Sequence, residues 1–324
     1  MRILSIFCLL FFSFLTTTVF AQFDDMVGVG EIDFGKPEIT IKPSFPEPGE
    51  TVTANVSSYA QMVKGSNFIW ILDGIEVPNS KNKNSVTFTA GEDNVAQKLS
   101  AVFQTPDGRQ VVADFDFLPR YLDIIIEPQT HVPSFYLGRP LPSVGSLVNA
   151  TFLISGVESY SDLLFTWRMG REVVSEGAVR GMNYVSFETS LDPNIILTVE
   201  ARDTNGEMVA SEIVSIPSAE PFIKFYESNA LLGLANKPVN GALTMLGNIA
   251  TLRSEPYYLD SRTYNEPDLL EWKVDGVLYP NQNQNPYEVT LEKNSATGRS
   301  QLNFHVRDLS QLLQGARGGV GINL

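Results

Sequence analysis

The sequence predicts an all-β protein made of three tandem antiparallel β-sandwiches. Two observations support this prediction: a strand with one tryptophan recurs along the chain, and helical periodicity is nearly absent. Trp70, Trp167 and Trp272 are about 100 residues apart, a spacing that fits one small β-domain for each tryptophan. The 324 residues are long enough for three such domains.

Each tryptophan is the centre of an alternating segment, in FIWIL, LFTWRM and LLEWKV. Apolar residues at every second position indicate a strand with one buried face. The first and third segments continue into Asp-Gly, which tolerates the positive φ of a two-residue hairpin turn. The middle segment has only Gly170, so its turn type stays open. We interpret the tryptophans as packing residues rather than ligand platforms, because all three occupy equivalent inward positions.

Further alternating strands follow each tryptophan at similar distances. SVTFTA, YVSFET and YEVTLE come first, and a second set ends in turn sequences such as TPDGRQ and DTNGEM. With the segments upstream of each tryptophan, this gives roughly seven short strands per unit, the pattern of an antiparallel sandwich.

The chain divides into four parts after its first 21 residues. These are an acidic lead (22–37), a first unit (38–120), a second unit (121–219) and a third unit (220–324). The joins LPRYL and PSAEPF are short and contain proline, so neighbouring units should have limited freedom.

Residues 1–21 combine a basic start, an apolar run and the small residue Ala21, which predicts a cleaved signal peptide. Residues 3–21 are also uncharged over about the length that crosses a bilayer, so an uncleaved N-terminal anchor is the alternative. Both alternatives place the remaining chain outside the cytoplasm, secreted or associated with the cell envelope. Membrane contact is then expected only through this segment, where it stays attached.

Charge and cysteine content exclude several classes of partner and bond. The only cysteine is Cys8, inside the apolar run, so the exported part has no disulfide to stabilise it. The formal net charge is −14, and no basic stripe interrupts the acidic composition. Nucleic acids and anionic lipids are therefore poor partners.

The segments FPEPGETVTANV and WILDG carry a family resemblance. They resemble bacterial tandem domains of the immunoglobulin-like or PKD-like kind, in which PxPGExVTxxV opens a unit and WxxDG marks a central hairpin. The chain is also similar to uncharacterised envelope proteins of small-genome candidate bacterial phyla. This resemblance implies a fold and an exported location, and it implies no particular chemistry.

The sequence predicts no enzyme. GxSxG and HExxH do not occur, and the two histidines are His131, in a proline-flanked loop, and His305, inside a strand of the third unit. The turn DTNGE places Asp203, Asn205 and Glu207 at alternate positions, which is either a weak calcium site or a plain turn. We expect no other cofactor.

The third unit departs from the other two. SEPYYLDSRTYNEP inserts Tyr257, Tyr258 and Tyr264 before the tryptophan strand, either as a partner-binding loop or as a plug at the end of the sandwich. Residues 229–247 are unusually apolar and predict an extra edge hairpin or a patch for another chain. The last residues predict a helical turn at SQLLQ and a final strand, without the hairpin that closes the other units.

These observations favour a non-enzymatic exported envelope protein, a semi-rigid rod for surface structure, adhesion or assembly with other surface proteins. The alternative is an accessory binding module of a pilus or secretion apparatus, or of a carbohydrate-active system. In that alternative the third unit contacts protein or cell-wall glycan.

Overall fold

The computed structural model describes residues 37–57, 67–104, 108–280, 283–293, 297–311 and 313–324. The expected signal peptide and nearly all of the acidic lead lie outside the described residues. The fold is all-β, and every sheet takes its strands from only one of the ranges 38–120, 121–219 and 220–324. Each range forms two sheets, and we call the three resulting bodies the first, second and third sandwich.

The first sandwich packs a three-stranded sheet against a four-stranded one. The smaller sheet has the order β1-β2-β5, with β1 Glu38–Lys42, β2 Thr51–Ser57 and β5 Ser85–Thr89. The larger has the order β4-β3-β6-β7, with β3 Asn67–Leu72, β4 Ile75–Glu76, β6 Gln97–Gln104 and β7 Gln110–Phe117.

The second sandwich repeats this plan. One sheet has the order β13-β9-β8, with β8 Leu122–Pro128, β9 Leu147–Ile154 and β13 Tyr184–Glu188. The other has the order β11-β10-β14-β15, with β12 also paired to β10; its strands are β10 Leu164–Met169, β11 Glu172–Val173, β12 Val179–Arg180, β14 Asn194–Arg202 and β15 Met208–Pro217. A 3₁₀ turn, Tyr160–Asp162, precedes β10.

The third sandwich adds short edge strands to both sheets. One sheet has the order β17-β16-β19-β22, with β16 Phe222–Asn229, β17 Gly233–Leu234, β19 Ile249–Tyr257 and β22 Glu288–Glu292. The other has the order β18-β24-β23-β20-β21, with β18 Ala242–Thr244, β20 Leu269–Val274, β21 Val277–Tyr279, β23 Arg299–Arg307 and β24 Gly315–Asn323. One helix, α1 Ser261–Asn265, follows β19. This division of strands between two sheets is that of immunoglobulin-like sandwiches.

The three tryptophans have equivalent places in the three cores. Trp70, Trp167 and Trp272 are at most 1% exposed. Each indole N–H donates to a backbone carbonyl 13 to 15 residues further along the chain, with Nε1–O distances of 2.8 Å to Lys83, 3.4 Å to Met182 and 3.0 Å to Pro286. The packing interpretation is confirmed, because the rings are buried and their polar atoms are satisfied within their own sandwich.

The turn after each tryptophan strand uses residues in the left-handed region. Asp73 and Asp275 have φ of 50° and 49°, and the glycine after each has φ of 82°. In the second sandwich Gly170 takes this role with φ of 60°, so the missing Asp is replaced by the residue that adopts positive φ at no steric cost.

The end of the third sandwich differs from the sequence prediction. β24 pairs antiparallel with β23 along its whole length, so the closing hairpin that the sequence did not predict is present. The described residues of 308–314 form turns rather than a helix, because the Asp308 carboxylate accepts hydrogen bonds from the backbone N–H of Ser310 and of Gln311. β18 pairs with β24 in parallel, the one exception to antiparallel pairing among the described strands.

Candidate functional site: the junction of the second and third sandwiches

Residues 129–131 of the second sandwich and 258–261 of the third join by backbone hydrogen bonds. The N–H of Tyr258 donates to the carbonyl of His131 at 2.8 Å, and the N–H of His131 donates to Leu259 at 2.7 Å. The N–H of Ser261 donates to Gln129 at 2.9 Å. The two bodies are therefore connected by a short antiparallel pairing as well as by the covalent link.

Tyr257 and Tyr258, which the sequence singled out as partner-binding candidates, lie in this junction. They are 6% and 9% exposed and form one apolar cluster with Tyr226 of the third sandwich and with residues of the 129–146 link. The phenol oxygens of Tyr136 and Tyr258 are 2.8 Å apart, and those of Tyr226 and Tyr257 are 2.6 Å apart. The surface that these rings contact is thus supplied by the same chain.

Burial and hydrogen bonding change the acidity of these phenols. Burial, with the hydrogen bond to Tyr136, raises the pKa of Tyr258 from 10.0 to about 12. Burial also raises the pKa of Tyr257, with a further contribution from the hydrogen bond to Tyr226. Both rings are neutral over the physiological range and act as hydrogen-bonding apolar groups.

Tyr264, the third candidate, lies in α1 rather than in a loop. Its ring stacks on the imidazole of His131 with centroids 3.6 Å apart and planes within 6°, and its other neighbour is Tyr287. His131 Nε2 lies 2.9 Å from Glu255 Oε2, and Arg253 Nε lies 2.6 Å from Glu255 Oε1. The buried Glu255 carboxylate therefore has a basic partner on each oxygen.

Asp260 is the polar centre of the junction and is fully buried. Its Oδ2 accepts a hydrogen bond from the backbone N–H of Leu147 at 2.9 Å, and its Oδ1 accepts from the N–H and Nε of Arg262 at 2.7 and 3.0 Å. Arg262 extends across the junction to the carboxylate of Glu188 at 2.8 Å. These hydrogen bonds, first to Asp260 and then to Glu188, raise the pKa of the Arg262 guanidinium.

Gln314 supplies a second buried connection. It is fully buried, and its Oε1 accepts from the backbone N–H of Asp260 at 3.0 Å. Its Nε2 donates to Ser143 Oγ at 3.0 Å and to the carbonyl of Val144 at 2.6 Å. The sequence analysis did not select Asp260, Arg262 or Gln314.

The chemistry of this junction is that of a fixed joint. The carboxylates of Asp260 and Glu255 accept hydrogen bonds or ion pairs from named neighbours, so their lone pairs are already used inside the protein. Buried polar groups that are paired across a junction favour one relative orientation, because any other orientation leaves some of them unpaired.

The calcium candidate is organised as a turn between β14 and β15. Asp203 Oδ1 accepts from the N–H of Asn205 and of Glu207 at 2.8 and 2.9 Å, and its Oδ2 accepts from Asn205 Nδ2 at 3.2 Å. Among the described residues, no three His, Cys, Asp or Glu side chains converge as a metal site would need. The choice between a calcium site and a plain turn stays a prediction, and these internal hydrogen bonds favour the plain turn.

A second polar surface lies on the third sandwich. Glu271, His305 and Arg317 are neighbours across β20, β23 and β24. Together with Lys273 and Asn303 they line a shallow cavity of about 260 Å³. His305 Nδ1 lies 3.6 Å from Glu271 Oε1, and Lys273 Nζ lies 2.6 Å from the same oxygen. We call Glu271, His305 and Arg317 the polar row. Arg317 is exposed at one end of the row, and the Glu271 carboxylate at the other end already has Lys273 as its cation.

Comparison with known proteins gives a fold-level likeness only. No protein-family model matches the chain, and no curated protein matches its sequence. Over 89% of this chain, three N-terminal domains of the bacteriophage RB49 outer capsid protein Hoc align with 14% identity and a TM-score of 0.25, covering 98% of that chain.

Two other matches have similar scores. Fibronectin(III)-like modules of Clostridium thermocellum CbhA align over 56% of this chain and 93% of theirs, with 17% identity and a TM-score of 0.26. Bacteroides ovatus SGBP-B, solved with a mixed-linkage heptasaccharide, aligns over 89% of this chain and 70% of its own, with 13% identity and a TM-score of 0.24. Scores at this level carry no information on activity.

Within the part of the chain that the structure describes, no helix has the length and apolar character of a membrane span.

Proposed function

We propose that this chain is a non-enzymatic, exported cell-envelope protein, a semi-rigid rod of β-sandwiches for surface structure, adhesion or assembly with other surface proteins. The observation that carries the proposal is the buried junction around Asp260. A tether between independent domains needs only a linker, whereas this junction commits a buried carboxylate and a buried amide to one orientation. Fixed orientation is the property that a spacer or scaffold requires.

The junction of the first and second sandwiches supports the same proposal with a smaller set of contacts. Phe45 of the first sandwich packs against the core of the second sandwich, and the hydroxyl of Ser155 in the second donates to the carboxylate of Asp93 in the first. Each sandwich is thus held to the next by side chains and not by the chain link alone.

Export is tested by joining residues 1–21 to a reporter enzyme that becomes active only outside the cytoplasm. We expect reporter activity, and we expect it to disappear when residues 3–15 are deleted, since the apolar run is what an export signal requires. Equal activity with and without the run would contradict export.

Rod geometry is tested by small-angle X-ray scattering on the chain from residue 22 onward. The proposal predicts that one elongated arrangement of the three sandwiches reproduces the scattering of this chain. Scattering from Asp260→Ala should require several arrangements, because the second and third sandwiches would then reorient. Scattering from the unsubstituted chain that already requires several arrangements would contradict a semi-rigid rod.

The polar row on the third sandwich favours a second candidate function, an accessory module that contacts protein or glycan. Arg317 is exposed beside His305 in the cavity of about 260 Å³, and a guanidinium is suited to bidentate contacts with carboxylates. Cell-wall polysaccharide and envelope extracts should be retained by the immobilised chain, and Arg317→Ala should weaken retention while Arg299→Ala should not. Equal retention by both variants would show that the surface around Arg317 is not the binding surface.

A further inference from the structure

The free end of the third sandwich is apolar. β16 starts at the junction with Phe222 paired to Tyr257, and it ends far from the junction with Ser228 paired to Thr251. Leu231 and Leu232 form the turn after β16, Leu246 precedes β19, and Ile249 is its first residue. Their exposed fractions are 93%, 87%, 99% and 62%. We call Leu231, Leu232, Leu246 and Ile249 the apolar tip.

The corresponding end of each other sandwich is a contact surface. In the first sandwich the link between β1 and β2 carries Phe45, which packs on the second sandwich. In the second the link between β8 and β9 carries Phe135 and Tyr136, which pack on the third. The equivalent link of the third sandwich, between β16 and β19, carries three of the four tip residues. In the first and second sandwiches this end therefore contacts the next sandwich. In the third sandwich the same end is apolar, and no described residue covers it.

From this geometry we propose that the apolar tip binds the apolar tip of a second copy of this chain, forming a two-fold symmetric dimer. A two-fold contact joins the same patch on both partners, so an apolar patch always meets an apolar patch. Among the described residues, the opposite end of another copy is the more polar of the two ends, because four of its strand ends are the exposed residues Glu38, Ser57, Asn67 and Gln104.

Local charge permits this contact. The charged side chains in the turns and strand ends around the tip are Asp275, Glu292, Lys293 and Arg299, and the link between β16 and β19 adds Lys237. These sum to +1, whereas the whole chain carries −14. Two copies that meet at this end therefore repel each other less than two copies that meet at an acidic surface. One excess positive charge is also far fewer than the clusters of roughly four to eight that bind an anionic lipid surface.

The apolar area that the contact can bury sets the affinity of the dimer. Four aliphatic side chains bury on the order of 400 Å² per copy, about half of the ~800 Å² per partner of a standard stable interface. The dimer should therefore be weak and should depend on protein concentration.

Sedimentation equilibrium on the chain from residue 22 onward tests the proposal. We expect the average mass to rise from one copy toward two as concentration increases. The double variant Leu231→Asp with Leu246→Asp should stay monomeric, and both side chains are exposed, so the fold is kept. The matched control is Leu137→Asp with Leu191→Asp, two exposed leucines outside the tip, which should dimerise as the unsubstituted chain does.

Cross-linking gives a second readout. Because Cys8 is the only cysteine, the chain from residue 22 has none, so Ala230→Cys places a single thiol at the tip. Mild oxidation should give a disulfide-linked dimer, whereas Thr204→Cys in the turn between β14 and β15 should not. A monomer at every concentration, growth beyond two copies, or dimerisation unaffected by the tip substitutions would each overturn the proposal. Binding of monomers to phosphatidylcholine vesicles through the same leucines would assign the tip to lipid instead.

Discussion

The Asp260 carboxylate of the third sandwich accepts a hydrogen bond from the backbone N–H of Leu147, the first residue of β9 in the second sandwich, at 2.9 Å. Two residues 113 positions apart in the chain thus share a buried contact in which one partner is a charge. Removing the carboxylate would leave that N–H and the Nε of Arg262 without this acceptor.

Asp260→Ala should uncouple the second and third sandwiches. Loss of one partner from a buried charged network costs about 3 kcal/mol, because the remaining polar groups stay desolvated. Calorimetry should resolve a separate transition for the third sandwich, and proteolysis within residues 217–221 should become faster.

The control for this variant is Asp275→Ala. The Asp275 carboxylate also accepts from a backbone N–H, that of Gln301 at 2.7 Å, but at the far end of the same sandwich. Its loss should cost about 1 kcal/mol and leave the junction resistant to protease. Equal cleavage of the two variants would show that Asp260 does not hold the junction.

Alkaline pH should loosen the junction through Tyr258. Its pKa is raised from 10.0 to about 12 in the folded protein, mainly by burial and then by the bond to Tyr136. A raised folded pKa means that the stabilisation is fully present below pH 10 and is lost as pH rises through about 12. Thermal unfolding from pH 8 to 12 should show a fall above pH 10, and the fall should be smaller in Tyr258→Phe. The same fall in both proteins would assign it to other groups.

The sequence was sufficient to predict those elements whose local residue pattern agrees with the burial seen in the structure. Trp70, Trp167 and Trp272 stand in period-two strands whose inward positions are buried, and the Asp-Gly turns adopt the expected positive φ. These features depend on neighbours within a few residues, which the sequence shows directly.

The contacts of the junction between the second and third sandwiches could not be predicted from such local patterns. Asp260 contacts Leu147, and Gln314 contacts Ser143, so each polar residue obtains its role from a partner more than 100 positions away. One local signal was available. Asp260 caps α1 by accepting from the N–H of Arg262, and Asp before a short helical segment is a known cap pattern. That signal marks a helix start and does not reveal the contact with Leu147.

The closing hairpin of the third sandwich was missed for a similar reason. Residues 315–321 contain four glycines, which weaken a strand prediction. In the structure Gly318 lies against Ile223 of the facing sheet, where an added Cβ would come within 3.0 Å of the Ile223 Cβ. Close approach of the two sheets therefore favours glycine there, and β24 is held by its pairing with β23 instead of by strand propensity.

The turn around Asp203 should be insensitive to calcium. Both carboxylate oxygens of Asp203 already accept from N–H groups of the turn itself. Addition of calcium or of a chelator should leave the melting temperature unchanged, whereas Asp203→Ala should lower the stability of the second sandwich by about 1 kcal/mol. A melting temperature that rises with calcium, and does not rise in Asp203→Ala, would establish the metal site.

The three tryptophans provide a graded test of how much the hydrogen bond of the indole N–H contributes to the stability of each sandwich. Replacement of each by Phe removes similar ring volume from three similar cores, so the volume contribution should be nearly the same. The hydrogen bonds differ: the Nε1–O distance is 2.8 Å for Trp70 and 3.0 Å for Trp272, but 3.4 Å for Trp167. A bond at the long limit contributes little, so Trp167→Phe should cost about 1 kcal/mol less than the other two substitutions.

Hydrogen exchange is the suitable measurement for this series, because a chain of three sandwiches does not unfold in one step. Protection of β3, β10 and β20 reports the local stability of each sandwich in the unsubstituted chain and in the matching variant. Equal losses of protection in the three variants would show that ring volume alone sets the cost. A smaller loss in β10 would show that the bond to the carbonyl stabilises the first and third cores, because the substitution removes the N–H donor and deprives the carbonyl of a partner only where the two lay close.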